Sequence, residues 1–308
     1  MTDLRKALAD HLEIRRTLGF KLYWADKCLG DFLDFLEVAN SPFITSALAL
    51  AWATQPQQAK PDHWAKRLRF VRGFARYVHT LDSRTEVPPP DLLVLPRGVR
   101  KQPPYLYADE EVSALMEAAN GIKQPFRACT YMTLIGLLAT TGMRVGEAIA
   151  LDRDDVNWES AVLTIRRTKF GKSREVPVHT TTLEALARYN GERNRNFTAH
   201  AVPAFFVSLR NRRLIYQNVR ATFLRLVEQS DLANKPRRPR LHDLRHSFAC
   251  TTLKSWYEAG VDVEQKLPLL STYLGHVSPS TTYWYLTAVP ELLCSTANRL
   301  EVHLGDIS

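Results

Sequence analysis

The 308-residue sequence is poor in cysteine and has no long apolar run. Its four cysteines, Cys28, Cys129, Cys250 and Cys294, are scattered with no C-x-x-C pair. That argues against a disulfide framework or a zinc ribbon and leaves them as reduced thiols, mostly in the core. The apolar stretches Ala47–Trp52 and Leu134–Thr140 fall far short of the roughly 20 residues a bilayer span requires. The first 30 residues alternate acidic and basic groups without an apolar signal-peptide segment, so a cytoplasmic location and no membrane partner are expected. Internal repeats and low-complexity tracts are lacking too.

What is present is the composition of an ordinary soluble globular protein, 45 % hydrophobic and 24 % charged, long enough that two domains are expected rather than one. The formal net charge of +9 favours a polyanionic partner. That charge is concentrated: residues 161–245 hold 18 Lys+Arg against 6 Asp+Glu, a balance of +12, which leaves −3 for the rest of the chain.

Up to about residue 86 the pattern is helical. Trp24, Cys28, Phe32 and Phe35 recur at the spacing of an amphipathic helix, as do Trp64, Leu68, Val71, Ala75 and Val78, which predicts two helices of a small bundle. On the second of these Arg69, Arg72 and Arg76 share a stripe, readable as a DNA-backbone contact or as a plain solvated face. From Val87 to Pro104 six prolines accompany Arg97, Arg100 and Lys101, a composition that reads as an extended basic connector. A domain boundary falls there, with units 1–86 and 105–308 on either side of the 87–104 linker. Beyond it, Ala108–Glu111 suits a helix start, a second helix is predicted from Phe126 to Thr141 with a stop at Gly142, and Val162–Ile165 and Glu175–Val178 read as short strands of a hairpin. Ala204–Val207 is another β-prone run, after which helices resume. The fold class expected is mainly α with a small β-sheet, α+β.

Six residues carry candidate chemistry: Arg144 in Thr141-Gly142-Met143-Arg144-Val145-Gly146-Glu147, Lys169 in the hairpin turn, His242 and Arg245 in His242-Asp243-Leu244-Arg245-His246, His276 in Leu274-Gly275-His276, and Tyr285. Each alone has a bland reading. An arginine after a helix-ending glycine is usually on the surface, a hairpin lysine solvated, and a tyrosine among aromatics core. Order and spacing carry the case. A Thr-Gly-x-Arg-x-x-Glu box, a hairpin lysine about 25 residues on, His-x-x-Arg, Leu-Gly-His and a tyrosine nine residues later occur in sequence.

This set resembles the catalytic residues of the tyrosine recombinases, the phage-integrase and Xer-like superfamily, over roughly residues 105–290. The helical N-terminal segment is similar to that family's core-binding domain in layout. The resemblance implies a C-shaped clamp on double-stranded DNA, a homo-tetramer on paired sites that passes through a Holliday junction, and strand exchange without metal, nucleotide or other cofactor. It implies Tyr285 as the nucleophile forming a 3′-phosphotyrosine, Arg144 and Arg245 as phosphate donors, His242 as general base, His276 as a hydrogen-bond donor and Lys169 as general acid. The chemistry agrees, because guanidinium forks stay charged and take two phosphate oxygens at once, where negative charge accumulates during attack. Glu147, one helical turn past Arg144, is expected to orient a catalytic side chain, with a plain solvated helix position as the alternative. A mobile-element origin and a nucleoid-associated location are the family habit.

Tyr283 and Tyr285 point about 200° apart on a helix, so only one reaches the phosphate; family spacing selects Tyr285. Counting back from Pro177 in Arg174-Glu175-Val176-Pro177, as in the family, selects Lys169 over Lys172, which is left as a DNA contact; His246 is read as a supporting residue behind the reacting groups or as a DNA-phosphate contact. His242 and His246 sit at i and i+4 as in a zinc pair, but the adjacent Arg245 and the missing acidic third ligand oppose a metal. The connection before Leu-Gly-His is slightly long, which implies a lengthened loop or helix. Ser278-Pro279 suits a helix start. The Leu292-Leu293-Ala297-Leu300 tail is expected to dock on a neighbouring protomer, with packing in cis as the alternative. Competing functions are type IB topoisomerase-like relaxation, an accessory DNA-binding subunit of a multi-recombinase assembly, and a helical regulator.

Overall fold

The computed structural model describes residues 3–93, 104–166, 173–197, 202–276, 278 and 280–288. Lys169, Lys172, the basic residues of the linker, Cys294 and the C-terminal tail lie outside them. Among the described residues no disulfide joins Cys28, Cys129 or Cys250. Among the described residues no helix is long and apolar enough to cross a membrane. The chain divides into two compact units, Met1–Lys101 and Gln102–Ser308.

Among the described residues the first unit has four helices, α1 (Leu4–Thr17), α2 (Tyr23–Val38), α3 (Ser46–Thr54) and α4 (Pro61–Leu81). On α4, Leu68, Val71, Ala75 and Val78 are buried as the spacing predicts, joined by Phe74, while Trp64 is half-buried; Pro61 at its first turn supplies a preset φ. On α2 the buried face is Ala25, Leu29, Phe32, Leu33 and Leu36, whereas Trp24 is 65 % exposed. The buried stripe is therefore centred on Leu29, Phe32, Leu33 and Leu36, with Cys28 and Phe35 at its margin and Trp24 outside it. Phe32 packs against Trp52 with ring centroids 5.0 Å apart, and the Arg67 guanidinium lies 3.7 Å from the Trp52 ring centre.

This unit runs past the boundary expected at 86. Leu92 and Leu93 pack on its core, and Arg72 donates from Nε and Nη2 to the carbonyls of Pro88 and Pro89, both at 2.7 Å. Arg72 thus holds the start of the linker, while Arg69 and Arg76 remain exposed on the stripe.

In the second unit the long helix α6 (Pro125–Thr141) is central, buried on most sides and packed against α5 (Asp109–Asn120), α8 (Thr180–Asn196) and α10 (Leu241–Glu258). Such all-round burial is why its residues are apolar through successive turns. The short α7 (Val145–Ala150) follows. A three-stranded antiparallel sheet comes next, β1 (Val156–Asn157), β2 (Val162–Ile165) and β3 (Arg174–Pro177), in the order β1-β2-β3 with Leu163 opposite Val176 and Ile165 opposite Arg174. The Ala204–Val207 run forms isolated bridges, Asp152 to Ala204 and Val207 to Arg213, rather than a further strand. The remaining α-helices among the described residues are α9 (Tyr216–Gln229), α11 (Val263–Leu274) and α12 (Ser280–Ala288). The lengthened connection is thus a helix, continuous through Pro268. Helix α12 begins two residues after Ser278, so Tyr285 is its sixth residue.

Candidate active site

Two helix ends create the site. Helix α6 stops at Gly142 (φ +59°) and α11 at Gly275 (φ +67°), both left-handed caps that glycine adopts without penalty. At each, close packing adds a second reason for glycine. A Cβ on Gly142 would lie 2.5 Å from the Phe248 ring of α10, and one on Gly275 would lie 2.6 Å from the Arg174 guanidinium.

The last three carbonyls of this α11 terminus are each held by a different arginine. Arg174 Nε donates to Tyr273 O at 2.8 Å, Arg245 Nη2 to Leu274 O at 2.7 Å, and Arg144 Nη2 to Gly275 O at 3.0 Å. Arg245 Nη1 also donates to Gly142 O at 2.9 Å, so the C-terminal ends of two helices, each carrying partial negative charge, converge on it. Arg245 is only 2 % exposed; burial and then the charge of Arg144 pull its pKa down to about 10, and it stays cationic at neutral pH.

Glu147 ties the set together. Its Oε2 accepts from the Arg144 backbone N–H at 2.9 Å and from Arg174 Nη2 at 2.8 Å, and its Oε1 accepts from Arg144 Nη1 at 2.8 Å. Burial alone pushes this carboxyl up, but the hydrogen bonds and charge of Arg174, joined by those of Arg144, hold it down at about 2. Three guanidiniums therefore face one carboxylate. The surplus of positive charge in a partly desolvated cleft suits a bound anion, which would offset the cost of burying those cations. Arg144 is the most open of the three.

His242 and His246 project from the first two turns of α10 with ring centres 4.7 Å apart, edge to face. Tyr285 is 2 % exposed, and its hydroxyl lies 3.0 Å from His246 Nδ1. Its ring stacks near His276 at 6.2 Å, and His276 Nδ1 is 2.7 Å from Thr282 Oγ1. Burial pushes the Tyr285 phenol up in pKa, against the pull of Arg245. Burial, reinforced by neighbouring cations, moves all three histidines down, His246 to about 4 and His276 to about 3, so the imidazoles are neutral at pH 7. Tyr283, by contrast, is 48 % exposed. Asp243 is buried and bonded to the Arg240 side chain and backbone N–H. Among the described residues no group of three or more His, Cys, Asp or Glu converges to hold a metal.

Arg144, Glu147, His242, Arg245, His246, His276 and Tyr285 are thus brought together. Arg69, Arg72 and Arg76 belong to the first unit. Sequence reasoning assigned no role to Arg174 and did not anticipate Thr282 as a partner of His276. A signal for Arg174 exists: on β3 it shares a face with buried Val176, and an inward-facing arginine on a strand demands a carboxylate.

A model of the phage integrase family matches residues 105–291. A Sinorhizobium fredii protein named as a putative integrase/recombinase, y4rB, is 46 % identical over 309 residues, covering 98 % of each chain. Tyrosine recombinase XerA of Pyrococcus horikoshii is 29 % identical over 311 residues, covering 99 % of this chain and 96 % of its own. The Tn1549 transposon integrase, solved in complex with transposon right end DNA, shares the fold with a TM-score of 0.66 at 14 % identity, over 97 % of this chain and 100 % of that one. The chain belongs to the phage integrase family of tyrosine recombinases and is a DNA recombinase of the site-specific kind.

Proposed function

We propose that the protein cleaves and rejoins double-stranded DNA at specific sites through a covalent 3′-phosphotyrosine on Tyr285. The observation that carries this reading is the placement of the Tyr285 hydroxyl, buried and 3.0 Å from His246 Nδ1, within the cluster of Arg144, Arg245 and His276. Tyr285 Oη attacks the scissile phosphorus, the Oη–P bond forms as the P–O5′ bond breaks, and the reverse steps reseal a strand without an external energy source. Arg144, Arg245 and His276 hold the non-bridging oxygens, where fixed donors lower the barrier most. The tyrosine proton passes to an imidazole of α10, a role the family resemblance gives to His242, and Lys169 protonates the leaving 5′-oxygen. Glu147 and Arg174 fix Arg144. Guanidiniums supply the charge that a metal would otherwise supply, so neither metal nor nucleotide takes part.

The first unit acts as the core-binding domain, with Arg69 and Arg76 toward the phosphate backbone; Lys172 is a further DNA contact. A homo-tetramer on two DNA sites, serving integration and excision of a mobile element, completes the reading, which the integrase/recombinase name of the relative y4rB supports. The test is a nicked suicide DNA carrying the ends of that element, incubated in EDTA. A covalent adduct is expected from the native protein and from Tyr283→Phe, and none from Tyr285→Phe. An adduct that survives Tyr285→Phe, or one that forms only with added metal, overturns it.

A further inference from the structure

The tyrosine hydroxyl has a hydrogen-bond partner outside the set that the family resemblance assigns. Of the two histidines on the first turns of α10, the one bonded to Tyr285 is His246, at 3.0 Å from Nδ1, whereas His242 meets the edge of the His246 ring at 4.7 Å. We propose that His246 is a further catalytic residue, its Nδ1 being the first acceptor of the Tyr285 proton. The proposal rests on Tyr285 as the nucleophile.

The geometry meets what a general base needs: heavy atoms within hydrogen-bond reach of the proton to be taken, before any substrate arrives. The His246 ring is fixed by edge contacts to His242 and to Trp284, the latter at 5.7 Å, and lies 5.4 Å from the Tyr285 ring. The groups facing it are His242, Asp243, Arg240 and Arg245 on its own helix and Tyr285 from α12. Tyr285 in turn faces Arg245, Cys250 and Arg144. Burial keeps the His246 ring neutral at pH 7, and in the tautomer that carries its proton on Nε2 the Nδ1 lone pair accepts from the Tyr285 hydroxyl.

In the step itself the proton moves from Oη to Nδ1, leaving an imidazolium. The freed electron pair forms the Oη–P bond, and the P–O5′ bond breaks with its electron pair going to the 5′-oxygen, which takes a proton from Lys169. On resealing, the 5′-hydroxyl gives its proton back to Lys169 and forms the P–O5′ bond, the Oη–P bond breaks with its electron pair going to Oη, and the imidazolium returns its proton there. His242 is thereby left free to face the phosphate.

Single-turnover cleavage of the nicked suicide DNA between pH 6 and pH 9.5 tests this, with His246→Asn and His246→Ala beside the native protein and Tyr285→Phe. Asparagine keeps an acceptor near the Nδ1 position but cannot take up a proton. Both variants are expected to slow cleavage about 100-fold or more at pH 7, with the deficit narrowing as pH rises and the phenol ionises unaided. A His246→Asn rate within twofold of native, or a deficit constant across pH, overturns the proposal, since either marks a packing role. Nitrogen-15 shifts of His246 give a check that leaves His246 itself unchanged. An unprotonated Nδ1 that shifts when Tyr285 is replaced by Phe supports the assignment, and a protonated Nδ1 overturns it. Should Tyr285→Phe still form an adduct, the nucleophile is wrong; should it be inactive while His246→Asn is unaffected, only the base is.

Discussion

The first unit and the α11 terminus of the second are stabilised by opposite means. Around Phe32, Trp52 and Phe74 the buried groups are apolar, and their contribution depends on how much surface leaves water. Around Tyr273, Leu274 and Gly275 the buried groups are arginines on backbone carbonyls, with one carboxylate among three guanidiniums. The difference separates scaffold from chemistry. A fault in the apolar core lowers stability and leaves the reacting groups alone, whereas a fault in the arginine set lowers the rate in molecules that remain folded.

The largest expected effect is on the scaffold side. Phe74→Ala removes a fully buried ring and should cost about 3–5 kcal/mol of the first unit's stability, read as a lowered midpoint in denaturant, while cleavage per folded molecule stays near native. A rate that falls in proportion to the stability loss would break the comparison. Next comes Arg245→Lys, for which cleavage should fall by roughly 10²-fold or more, about 3 kcal/mol of transition-state stabilisation. One ammonium cannot hold the Gly142 and Leu274 carbonyls and also present a planar fork to phosphate. Single-turnover kinetics at saturating protein measure it.

Gly275→Ala is intermediate. Its φ of +67° costs an alanine about 1–2 kcal/mol, and the added carbon lands against Arg174, so both melting temperature and cleavage rate should drop, the latter by about tenfold or less. The pH dependence sharpens the contrast further. His242, His246 and His276 have folded pKa values below their ordinary range, so the unfolded chain takes up protons first. Stability should therefore decline as pH falls below about 6.5, the unperturbed histidine value, continuing through the folded values of about 4 for His246 and about 3 for His276. Glu147 behaves as a depressed carboxylate: its contribution is intact above about 4.3 and is lost as pH falls toward about 2. Thermal melts from pH 7 to pH 4 follow the histidine decline, and His276→Gln should flatten it. The smallest effect is that of Tyr283→Phe, an exposed side chain, for which the cleavage rate should stay within twofold.

The sequence disclosed this architecture unevenly, and the reasons are physical. The α4 stripe, the end of α6 at Gly142 and the strand at Val162–Ile165 are legible because each is a local pattern: a 3.6-residue period, a left-handed cap, a β-branched run. Helix α8 is not, since its buried positions include Thr182 and Arg193 and it shows only a thin apolar stripe. Helix α7 and strand β1 are too short to carry a period. Trp24 misled because size was read as burial. In the site, Arg144, Arg245, His242, His276 and Tyr285 stand out through spacing, but Arg174 and the tie between His246 and Tyr285 depend on tertiary contacts between residues 27 and 39 positions apart. Strand alternation turns Arg174 inward, but no local pattern names the partner in either contact.

The most direct test of the central claim is to trap the adduct on nicked DNA, digest it with protease and nuclease, and locate the residue that carries the nucleotide by mass spectrometry. The nucleotide is expected on the peptide spanning Tyr283 and Tyr285, with fragment ions that place it on Tyr285 through a 3′-phosphate. A nucleotide on Tyr283, on any residue outside α12, or attached through a 5′-phosphate would contradict the account.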